Sequence, residues 1–125
     1  MPNANYHKIK HLVEVDDDIL GVFTVNSIGQ YRMENVTIAK NANITEDFVN
    51  HIFTKYQSHF TIYKEETDDT IGNLRWSVNE TDRIRILIIY EKDRSIIVLI
   101  KSNISLSESV DNILGYYYEP TTPRI

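Results

Sequence analysis

Two neighbouring runs, Ile84-Arg-Ile-Leu-Ile-Ile-Tyr90 and Ile96-Ile-Val-Leu-Ile100, limit what this chain can fold into more than any other feature. Both are rich in β-branched residues, and only Lys92-Asp93-Arg94 and its immediate neighbours separate them. A strand wetted on one side alternates apolar with polar residues. A nearly continuous apolar run therefore reads as a central strand covered on both faces. Just before them, Leu74, Trp76 and Val78 alternate with Asn73, Arg75 and Ser77, the pattern of a half-buried strand. Asn79 to Asp82 supplies turn residues. Strands are predicted at 71–79, 83–91 and 95–101.

Those strands need helices to cover them, and the rest of the chain offers three. Tyr6, Ile9, Leu12 and Val13 form one face of a short helix that opens at Asn5 and ends near Val15. Thr45 is a good N-cap, with Glu46 and Asp47 favourably placed in the first turn. From there Phe48, Ile52, Phe53, Tyr56, Phe60 and Tyr63 recur at helical spacing, predicting a long helix to about Lys64, with an acidic break over 65–69. Ser105-Leu-Ser-Glu108 has capping-box spacing and opens a last helix that Gly115 is placed to end. Two further strands, 19–25 and 30–38, flank a turn at Asn26-Ser-Ile-Gly29, and the second alternates less cleanly. The expected fold is α/β, with a five-stranded, mainly antiparallel sheet covered by helices on both faces in the order α-β-β-α-β-β-β-α. The first and last helices should share one face and the middle helix the other.

At 125 residues, without an internal repeat or low-complexity linker, one domain is expected. The chain has no cysteine, which suits a reducing compartment. Its first eighteen residues lack the apolar core of about 7–15 residues that a secretory signal needs. The longest apolar run, Ile86–Tyr90, is too short to cross a bilayer. A cytoplasmic protein without membrane insertion is expected, and the sequons at Asn35, Asn43, Asn79 and Asn103 are read as chance. The net charge of −5 is spread evenly, with six basic and nine acidic side chains in residues 1–66 and seven and nine in 67–125. A nucleic-acid binder concentrates its cations on one face, and no such stripe exists here.

Reaction chemistry is hard to find. His7 and His11 stand four apart, a spacing that could share a metal, but the intervening Lys8-Ile9-Lys10 lacks the acid of a catalytic zinc motif. Two solvent-facing histidines are the plainer reading. Asp16-Asp17-Asp18 lacks the alternating acids, inner glycine and distal glutamate of a calcium loop. It is read as the solvated end of a helix. The four glycines, at 21, 29, 72 and 115, make no phosphate loop, and no nucleophile motif appears. No catalytic residue, cofactor or metal is expected.

The aromatics say more. Phe48, Phe53, Tyr56, Phe60 and Tyr63 crowd one segment and Trp76 follows, which suits either a core stripe or a protein interface. The order of elements, with Ile19-Leu-Gly21-Val-Phe-Thr-Val25-Asn-Ser-Ile-Gly29 as its best local match, resembles the roadblock/dynein light-chain family of the profilin-like group. The likeness covers about residues 5–115, and Asn26 stands where the family's pattern usually has Asp. The Ile-rich, Ala-poor composition suits a divergent bacterial or archaeal member. The resemblance implies one roadblock-like domain over 1–118, an irregular tail over 119–125, and no enzymatic activity. It also implies a homodimeric scaffold or regulator of a Ras-like small GTPase or another protein. Family dimers pair the long helices and join the strands that follow them, which makes Phe48, Ile52, Phe53, Tyr56, Phe60, Leu74, Trp76 and Val78 the candidate interface. Phe53 and Tyr56 are the favoured contacts. The rival class is a small-molecule sensor of PAS or GAF type, which would hold a cavity beside the sheet.

Overall fold

We describe a computed structural model of the chain over residues 4–26, 32–40, 42–60, 70 and 72–118. The elements are α1 (Ala4–Val15), β1 (Ile19–Asn26), β2 (Arg32–Ile38), α2 (Glu46–Lys55), α3 (Gln57–Phe60), β3 (Trp76–Glu80), β4 (Ile84–Tyr90), β5 (Arg94–Lys101) and α4 (Leu106–Tyr118). The five strands form one antiparallel sheet in the order β2-β1-β5-β4-β3. The turn expected at 26–29, the break at 65–69 and the tail at 119–125 fall wholly or largely outside the described residues.

The continuous apolar runs became the middle of the sheet. Every residue of β4 is buried, and so are the six from Ser95 to Ile100 of β5. Alternation along each strand divides them between two cores. Leu87, Ile89, Ile96, Val98 and Ile100 meet α1 and α4 through Ile9, Val13, Val110, Ile113 and Tyr117. Ile86, Ile88, Ile97 and Leu99 meet α2 and α3 through Val49, Ile52 and Phe60. Helices therefore cover both faces as expected. Val49, overshadowed in the sequence by its aromatic neighbours, is among the most deeply buried residues of α2.

Local signals set several element ends. The Thr45 hydroxyl accepts from the Phe48 N–H at 3.1 Å and starts α2. The Ser105 hydroxyl accepts from the Glu108 N–H at 3.4 Å before α4. After α1, the Asp16 carboxylate accepts from the Asp18 N–H at 2.9 Å, while the Asp18 carbonyl accepts from the Lys101 N–H at 2.9 Å. The acidic triplet ends a helix and hands the chain to β1.

Three expectations need correction. The middle helix is not continuous. It breaks at Tyr56, whose φ and ψ are −108° and 18°, before the single turn of α3. The break lets Phe60 drop onto the sheet, where it packs edge-on against Phe23 and stacks with Phe53. Hydroxyls from the sheet hold it there: Tyr90 donates to the His59 carbonyl at 3.0 Å and Ser95 to the Phe60 carbonyl at 2.5 Å. The third strand begins at Trp76 rather than near residue 71, since Leu74 turns to the α2 core and leaves the ladder. Gly115 does not end the last helix. Burial of Tyr117 and its hydrogen bond to the Glu91 carboxylate carry α4 on to Tyr118.

Candidate interaction surface

The sheet has two edges, and they are built differently. β2 is irregular: its register against β1 shifts between Val22 and Thr24. Within the shift Asn35 adopts a φ of 56°, in the left-handed region that only a few side chains tolerate. Thr24 pins this bulge. Its buried hydroxyl donates to the Glu34 carbonyl at 3.2 Å and accepts from the Asn35 amide at 3.1 Å. Arg32 and Glu34 add charge along the strand, 3.6 Å apart. Bulge, twist and charge are the means by which an edge is kept from pairing with another chain. At its other end β2 lies tight on β1, because a Cβ at Gly21 would stand 3.0 Å from the Thr37 carbonyl oxygen.

β3 has none of this disruption. Its register against β4 runs without a shift from Trp76↔Ile89 to Glu80↔Arg85. The Tyr90 N–H bonds the Arg75 carbonyl at 2.9 Å, which makes residues 75 and 90 a hydrogen-bonded pair. By alternation Ser77 and Asn79 point their backbone groups at β4, while Trp76 and Val78 point theirs away from the sheet. Among the described residues no other strand lies beside β3.

Side chains hold this edge in place from beneath. Glu80 meets the Arg85 guanidinium at 2.6 Å, and Arg85 is only 4% exposed. The same guanidinium donates to the Ser109 hydroxyl at 3.1 Å and to the Ile104 carbonyl at 3.2 Å, joining β3, β4 and the start of α4. A buried cation with this many acceptors is a structural clasp. At the other end of the strand, Arg75 lies 4.3 Å from the ring centroid of Tyr118, whose hydroxyl donates to the Arg75 carbonyl at 3.3 Å. Burial pushes the Tyr118 hydroxyl above its ordinary value of 10.0; the Arg75 charge and a hydrogen bond from Arg75 pull it down, and Glu91 pushes it up. On the α2 side, a chain of hydroxyls joins Ser77 to Tyr90 at 3.0 Å and Tyr90 to the His59 carbonyl.

The eight candidate interface residues are not one patch. Ile52 and Phe60 are buried in the α2 core, and Phe48, Phe53, Tyr56 and Leu74 pack half-buried against it. Val78 packs half-buried on the opposite face, against the α1 and α4 core. Trp76 alone is an exposed large side chain, at 43%. Tyr56 also meets His59 edge-on, with 5.5 Å between centroids. A charge at Phe53 or Tyr56 would thus disturb the core before it reported on any partner.

His7 and His11 are exposed, with His11 3.9 Å from Glu14. Among the described residues no three His, Asp or Glu side chains are grouped to hold a metal. Sequence reasoning missed a cleft of about 670 Å³ at the strand ends, lined by residues of α1 and the connector after it, β1, the end of β2 and the segment that follows, and β5. Its lining comes from four separate stretches of chain, so no local pattern marks it. No helix among the described residues is long and apolar enough to cross a membrane. No protein-family model matches this chain, and no curated protein matches it.

Proposed function

We propose that this chain is a non-enzymatic scaffolding or regulatory module that acts as a homodimer, with a Ras-like small GTPase or another protein as its partner in the cytoplasm. One observation carries the reading: β3 is a regular edge strand with outward backbone groups and an exposed Trp76, whereas β2 is bulged and charged. An unprotected edge is a template for a further strand. Pairing β3 with its own copy would extend the sheet across a dimer, as the resemblance to roadblock domains leads one to expect.

A specific dimer should bury about 1,000 Å² or more. Light scattering at micromolar concentration should then give about twice the chain mass of 14.6 kDa. Val78→Pro removes an N–H that points away from β4, so it should yield a folded monomer. A parent chain that stays monomeric at high concentration would overturn the dimer and favour the sensor class. Identification of proteins that co-purify from the native host tests the GTPase arm, and recovery of a bound metabolite in their place would count against it.

A further inference from the structure

The strand-end cleft has opposite charges on its two walls. Glu14, in the last turn of α1, and Asp17, in the connector after it, come from the helix side. Lys40, just past β2, and Lys101, the last residue of β5, come from the sheet side. The register places those lysines. The Ala39 N–H bonds the Leu20 carbonyl and the Lys101 N–H bonds the Asp18 carbonyl, each at 2.9 Å. The two lysines therefore leave the sheet from strands on either side of β1. Strands that flank a third lie about 10 Å apart, a gap two flexible lysine stems can close on one ligand group.

Among the described residues, no ion pair joins either lysine to Glu14 or Asp17. The two pairs of charges line the same cleft without neutralising one another, and Leu20, Ile38 and Ala42 add apolar lining. A volume of about 670 Å³ is in the range of small-molecule sites. A ligand with a single charge would complement one wall and leave the other without a partner. A metal ion would need a third ligand that the site does not offer.

We infer that the cleft binds a short zwitterionic peptide of apolar residues. Its carboxylate is held by Lys40 and Lys101, its ammonium by Glu14 and Asp17, and its side chains by the apolar lining. A dipeptide spans about 7 Å between its two charges and leaves volume for two large side chains. The site is separate from the proposed dimer, since β4 stands between β3 and β5, the nearest strand that frames the cleft.

The test titrates the isotopically labelled full chain at low salt with Leu-Leu, N-acetyl-Leu-Leu and Leu-Leu-amide, following the backbone amide resonances. Leu-Leu should move the signals of Leu20, Ala39, Ala42 and Lys101 and leave β3 unmoved. Each blocked peptide should bind about tenfold more weakly, the equivalent of about 1.4 kcal/mol. The double variant Lys40→Met, Lys101→Met should lose about tenfold for Leu-Leu and nothing for Leu-Leu-amide, with unchanged β4 signals reporting its fold. If that variant does not fold, Lys101→Met alone should weaken Leu-Leu about threefold. No movement of the cleft signals at tens of millimolar Leu-Leu would overturn the inference. Equal binding of all three peptides would do the same.

Discussion

The two edges of this sheet have the same backbone need and opposite answers to it. β2 spends a left-handed asparagine, a register shift and a charged pair on becoming a poor template. β3 is shorter and regular, and it is fastened by Arg85 at one end, by Tyr118 at the other and by the Ser77–Tyr90 hydroxyl contact on the α2 side. The difference teaches where a partner strand can be added. Protection against pairing appears as local irregularity, while a usable edge is regular and anchored through its inner neighbour.

The comparison can be broken at β3 with the largest effect. Arg85→Met removes the clasp and leaves the Ile104 carbonyl and the Ser109 hydroxyl without a buried donor. It should cost about 2–4 kcal/mol in chemical denaturation. Hydrogen exchange should quicken first in β3 and the start of α4. A loss below about 0.5 kcal/mol would mean that the clasp is not what holds the edge.

Asn35→Ala probes the other edge. It places a side chain without local hydrogen bonding at a φ of 56° and removes the bond to Thr24. The expected cost is about 1–2 kcal/mol. If the bulge protects β2, the variant should also associate at concentrations where the parent keeps its normal size.

The smallest effect is at the start of β3. Tyr118 has a folded-state pKa raised above its ordinary 10.0, so the folded chain holds that proton more tightly than the unfolded one. The associated stability is complete below pH 10.0 and is lost as the pH climbs through the folded value. Denaturant midpoints measured on either side of that pH should fall less in Tyr118→Phe than in the parent. An identical decline in both would remove Tyr118 from the account.

Much of this was legible along the chain. Continuous apolar runs identified β4 and β5 as doubly covered strands, because strand alternation leaves no other use for such runs. Thr45 and Ser105 announced two helix starts, because a cap is a contact between residues three apart. Even the uneven alternation of β2 was visible, and its cause is the bulge at Asn35. The candidate interface was less legible. A core stripe and an interface stripe have the same period, and six of its residues proved to belong to the α2 core or to pack against it.

What the sequence determined by itself is the five strands, the three helical segments, their order and the need for helices on both faces. These follow from periodicities of two and 3.6 residues and from contacts within a single turn. The tertiary structure decided the rest, because the deciding contacts join residues far apart in the chain. Tyr90 and Ser95 hold α3 beyond the break at Tyr56, and Glu91 carries α4 past Gly115. Thr24 pins the bulge at one edge of the sheet, and Arg85 clasps the other, beside which no further strand lies among the described residues.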